Sequence, residues 1–126
     1  MKLHDRLYIA LGALYLVLGM LLGIVMGIRQ DFQFAPVHAH INLVGFAAHC
    51  VFGLVYRSWP ELRQGALAVA QFWLFTLGAP LLMIGIALSI KSNAITVAIV
   101  GSILVCLGAL LFLVVVARGL LRSSGA

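Results

Sequence analysis

The amino-acid sequence predicts an all-α fold: a polytopic membrane protein whose four transmembrane helices form one bundle, residues 1–126, with both termini cytoplasmic. Three observations carry that reading. Of the 126 residues 64% are hydrophobic and 9% charged, with a mean hydropathy of +1.20, more apolar surface than a soluble domain of this length can hide. The apolar residues fall into four long runs separated by short polar connectors. The basic residues stand singly at the ends of those runs, so the net charge of +5 reads as membrane topology and not as a nucleic-acid surface.

The first run, residues 7–28, follows Lys2 and Arg6. Its apolar stretch exceeds the roughly 7–15 residues of a cleaved signal's core, so it is read as a span. The second, residues 35–56, holds "PVHAHINLVGFAAHC" and with it three of the four histidines. The third covers residues 66–90 and the fourth residues 94–117. Each reaches the roughly 20 residues needed to cross a bilayer as a helix, and none shows the alternation of a barrel strand. The connectors "RQDFQF", "RSWPELRQG" and "KSN" are short, which makes consecutive helices antiparallel neighbours. Lys2, Arg6, Arg57, Arg63, Arg118 and Arg122 share one side and only Arg29 and Lys91 the other; six against two places the termini in the cytoplasm of a bacterial inner membrane.

Gly12, Gly19 and Gly23 in the first span, and Ala98, Gly101, Ser102 and Gly108 in the fourth, are the small residues that let membrane helices approach closely. Cys50 and Cys106 lie within apolar runs and read as small buried hydrophobes. With no C-x-x-C-H, covalent c-type haem attachment is excluded. His4 reads as a surface residue.

At about 100° per residue, His38, Asn42, Gly45, His49 and Tyr56 share one stripe of the second helix, and His40 lies roughly 200° away. A regular helix cannot ligate one metal from positions i and i+2, and H-E-x-x-H is absent. The plainest reading is an interfacial hydrogen-bonding histidine, with His49 bonding across the bundle. Ionisable groups within a span are nevertheless functional candidates. A flat apolar cofactor held by neutral imidazole, haem b, suits the setting better than zinc, with Gly45 offering space against the helix.

The segment "HAHINLVGFAAHCVFGLVYRSWPEL" resembles the tenth helix of the haem–copper oxidase catalytic subunit, through His38, His40, Gly45, Gly53 and Trp59-Pro60. "QFWLFTLGAPLLMIGIAL" is similar to that family's next helix, at Phe72 and Gly78. His40-Ile41-Asn42 resembles the H-x-N signature of the related nitric oxide reductases, and "HAHINLVGF" is also similar to the NnrS family of haem- and copper-containing membrane proteins. The likeness covers residues 36–90. It implies His38 and His40 as axial ligands on opposite faces, His40 with Asn42 for a low-spin haem, and Arg29 or Lys91 for the propionates.

Four helices match one third of the oxidase subunit, and neither its three-histidine copper site nor its tyrosine is present. The expectation is therefore a membrane b-type haem protein acting in electron transfer or in NO or O2 binding, without a complete oxidase centre in one chain. One helix cannot supply both axial ligands from His38 and His40, so a homodimer or homotrimer sharing haem is expected. The alternatives are a copper- or other metal-binding membrane protein using His38, His49 and Cys50, an accessory subunit of a respiratory complex, and a transporter, the last disfavoured because Asp5, Asp31 and Glu61 all sit at span ends.

Overall fold

A computed structural model describes residues 3–123 of the chain. Four long apolar helices make up the molecule, and no strand occurs among the described residues. Each is long enough, at about 1.5 Å per residue, to cross a hydrocarbon core of about 30 Å; the chain is a multi-pass membrane protein.

α1 (Leu3–Arg29) has Asp5 in its first turn and Arg29 in its last, the placement the helix dipole favours. Gln30 then takes a left-handed conformation, φ 51°. Asp31 folds the link by accepting the Gln33 backbone N–H at 3.1 Å and the Gln33 side-chain amide at 2.7 Å. α2 (Ala35–Ser58) starts with Pro36 in its first turn, where no N–H is needed. It is α-helical over Ala35–His40 and His49–Ser58 but widens into a π-helix over Ile41–Ala48. Pro60 forces Trp59 out of the helical region and ends it. A 3-10 turn, Pro60–Arg63, leads to Gly65, whose φ of 99° suits glycine alone. α3 (Ala66–Ser92) contains Pro80, which cannot donate to the Thr76 carbonyl one turn back. Asn93, at φ 55°, ends it with a left-handed cap. α4 (Thr96–Ser123) completes the bundle.

The helices pair as two hairpins. Within α3–α4 the backbones touch: a Cβ on Gly85 would meet the Ala98 main chain, and one on Gly101 that of Leu82. Lipid is as apolar as leucine, so close packing of this kind holds membrane helices together. Within α1–α2 the glycines of α1 receive side chains instead. Gly12 faces Cys50, Gly19 faces Asn42 and Gly23 faces His38.

Between the hairpins lies a layer of large rings, Tyr8, Phe52, Tyr56, Phe72 and Phe75, closed by Val115. Exposed Leu21, Leu43, Trp73 and Leu113 belong to the outward apolar belt that a bilayer covers.

Two expectations are corrected. His4, expected at the surface, is 9% exposed and stacks on Phe72 with ring centroids 4.5 Å apart; α1 starts before its apolar run, so its first turn packs against α3. Cys106 is exposed on α4, while Cys50 is half-buried against α1.

Candidate histidine site

His38 leaves α2 at the end opposite the chain termini, and its ring lies over Gly23 of α1, where a Cβ would come within 2.9 Å of Cε1. Its Nδ1 is 2.9 Å from the Gly19 carbonyl. Asn42, one turn on, donates to the His38 carbonyl at 2.9 Å and sits 3.4 Å from both ring nitrogens. Gly19 and Gly23 thus form a slot that His38 and Asn42 fill. The glycine stripe of the first span and the polar stripe of the second are two sides of one contact.

His40 lies half-buried away from that contact, its Nδ1 2.7 Å from the Pro36 carbonyl. His49 is 0% exposed, with Nδ1 2.9 Å from the Val44 carbonyl. That acceptor is five residues back in its own helix, inside the π segment, so His49 does not bond across the bundle as expected. The rings of Phe75, Tyr15 and Tyr8 enclose it at centroid distances of 5.2, 5.3 and 5.5 Å, and its Nε2 has no partner among the described residues.

One chemical consequence is common to all three. A carbonyl only accepts, so each imidazole in contact with one carries a proton on Nδ1, and the neutral form of the ring presents the Nε2 lone pair. This is the tautomer and the anchoring that orient ligating histidines. Accessibility then separates them. The His38 ring is packed on Gly23 with the Asn42 amide 3.4 Å from both of its nitrogens, and His49 Nε2 is walled in by rings. His40 Nε2 makes no hydrogen bond to a described residue, and its ring is partly open.

The space at Gly45 is taken by Tyr15, whose ring atoms would lie 2.6–2.8 Å from a Cβ there. Arg29 and Lys91 are both exposed at the His38 end, and the Lys91 ammonium stands 5.2 Å from the Phe34 ring centroid. Hydrogen bonds from the Gln33 backbone and side chain, helped by Lys91 and Arg29, lower the Asp31 pKa. Among the described residues, no three His, Cys, Asp or Glu side chains gather as a metal site.

A second polar cluster, at the end that carries the termini, was not anticipated from the sequence. Gln71 is 0% exposed, and its Oε1 accepts from Tyr8 at 2.6 Å and from Tyr56 at 3.2 Å. Asp5, 5% exposed, pairs with Arg63 at 3.0 Å. The available signal was a lone carboxamide in the third span and a carboxylate just before the first. No protein family, curated protein or solved structure matches the chain.

Proposed function

We propose that this chain is a b-type haem-binding protein of a bacterial inner membrane, resembling one module of the haem–copper oxidase catalytic subunit and acting in electron transfer or in NO or O2 binding. The observation that carries the reading is His40: its Nδ1 proton is held by the Pro36 carbonyl at 2.7 Å, and its Nε2 is unpartnered on a half-open face. The six-to-two distribution of Lys and Arg supports cytoplasmic termini, which sets His40 towards the outer leaflet.

The haem reading rests on the most open of the three imidazoles. His38 is wedged against α1 and His49 is enclosed, so the chain offers a single accessible axial nitrogen. For electron transfer, a bis-histidine site would take His40 from each of two copies of the chain, a symmetric dimer. For gas binding, one His40 would hold the haem and leave the iron open to the gas. Arg29 and Lys91, exposed at the same end, are the cations for the propionates. When bound, haem supplies an iron centre for one-electron transfer or for a gas ligand. The chain's own part is to fix the His40 tautomer and to keep its ring at an apolar surface.

The test is the absorbance of the detergent-purified protein, oxidised and dithionite-reduced. The expected result is a Soret band that sharpens on reduction, lost in His40→Ala and kept in His38→Ala. A haem-loaded monomer in native mass spectrometry overturns the shared site. A colourless protein after expression with haem precursor overturns the haem reading. It leaves an accessory membrane subunit, which the packing roles of His38 and His49 favour, ahead of copper binding.

A further inference from the structure

At the end that carries the termini, the connector between α2 and α3 folds over α4 and leaves a cavity of about 470 Å³. Arg118 and Arg122 line it from successive turns of α4, and Glu61 lines it from the connector. Neither arginine forms an ion pair with a described residue; the one such pair is Asp5–Arg63. A second cavity of about 220 Å³ shares Glu61, Leu62 and Gly119 with the first and continues past Trp59 and Val116. A Cβ on Gly119 would meet the tip of the Leu62 side chain, which would have to shift.

We propose that these joined cavities bind one zwitterionic membrane phospholipid of the ethanolamine type. Its phosphate would sit between Arg118 and Arg122, its ammonium on Glu61, and its glycerol and first acyl carbons in the second cavity. Like charges four residues apart on a helix repel, and a phosphodiester relieves that repulsion while offering guanidinium its preferred oxygen acceptors. A carboxylate beside two guanidiniums suits a headgroup carrying both signs better than a purely anionic one. The depth is also right. α4 is a membrane span whose last turns hold both arginines, and the exposed Trp59 is the kind of ring found at headgroup level. A soluble phosphoester would use the arginines and leave the apolar cavity without a role. Basic pockets between spans are established places for headgroups. The site is independent of the histidines and of whether haem binds.

The experiment is native mass spectrometry of the whole protein, released from detergent with equimolar phosphatidylethanolamine and phosphatidylglycerol of identical acyl chains. The expected result is one retained phosphatidylethanolamine per chain. Arg118→Gln combined with Arg122→Gln lowers its retention about tenfold, as loss of a charge-assisted contact implies. Glu61→Gln removes the preference over phosphatidylglycerol. Val116→Trp, which fills the second cavity with every charge intact, also releases the lipid. Equal retention of the two lipids by the wild type, or unchanged retention in the double arginine variant, overturns the proposal. So does glycerophosphoethanolamine competing as well as the intact lipid, which would mark a soluble phosphoester site.

Discussion

Gln71 ties three helices together through one atom, its Oε1, while its buried Nε2 has no partner among the described residues. One carbonyl oxygen accepts two tyrosine hydroxyls, from Tyr8 of α1 and Tyr56 of α2, so three helices meet at one atom. Gln71→Leu keeps the volume and strips both hydroxyls of their acceptor. Each buried unsatisfied group costs about 1–3 kcal/mol in soluble proteins, but a membrane-embedded unfolded chain also finds partners. The expected loss is therefore at the low end, roughly 1–2 kcal/mol, read from the SDS midpoint of refolded protein. Tyr8→Phe should cost less, since the oxygen keeps Tyr56; equal midpoints for Gln71→Leu and wild type would refute the account. In the connector between α1 and α2, Gln33 bonds to Asp31 hold the carboxylate pKa below its ordinary value. Folding therefore favours the ionised form: the turn's stabilisation is present above the ordinary carboxylate pKa and is lost as pH falls through the lowered one. Gln33→Ala, which keeps the backbone N–H bond and removes the side-chain one, should move the Asp31 titration, followed by carbon-13 NMR, part of the way up towards the ordinary value.

Elements were more legible than contacts. Four apolar runs and the short polar connectors between them marked the helices, because hydropathy is a local property. The π segment at Ile41–Ala48 was not legible: nothing in "INLVGFAA" breaks the α period, and the widened turn becomes evident only where His49 reaches the Val44 carbonyl. The His38 anchor was hidden because its carbonyl acceptor, Gly19, belongs to another helix. Small residues announced close approach without saying what approaches, and Gly19 and Gly23 turn out to receive a carboxamide and an imidazole. The glycines also divide by role. Gly85 has the Ala98 main chain where its Cβ would be, whereas Gly27 has nothing within 4 Å. Alanine is a better helix former than glycine by about 1 kcal/mol. Gly27→Ala should therefore be neutral or slightly stabilising, while Gly85→Ala loses about 1–3 kcal/mol through overpacking. Similar SDS midpoints for the two variants would contradict the backbone contact between α3 and α4.

At the scale of the whole molecule, two internally tight hairpins are joined by rings, by the Gln71 hydrogen bonds to Tyr8 and Tyr56 and, among the described residues, by one ion pair. Asp5 at the start of α1 reaches Arg63 in the connector between α2 and α3, with side-chain exposures of 7% and 17%. The pair therefore ties the first hairpin to the chain that enters the second. Its value as net stability is small, because two charges are desolvated to make it. Its value as a constraint is large, because either charge alone is penalised. Arg63→Met leaves the Asp5 carboxylate buried and unpaired, for an expected loss of about 3–5 kcal/mol. Combining it with Asp5→Leu removes both charges and should restore most of the stability, for a coupling of at least about 2 kcal/mol between the substitutions. A mere surface attraction would give additive losses below about 1 kcal/mol each. The cycle thus reports whether the bundle closes on a buried charge pair, and an additive result would mean that the rings and the Gln71 hydrogen bonds hold the hairpins together without it.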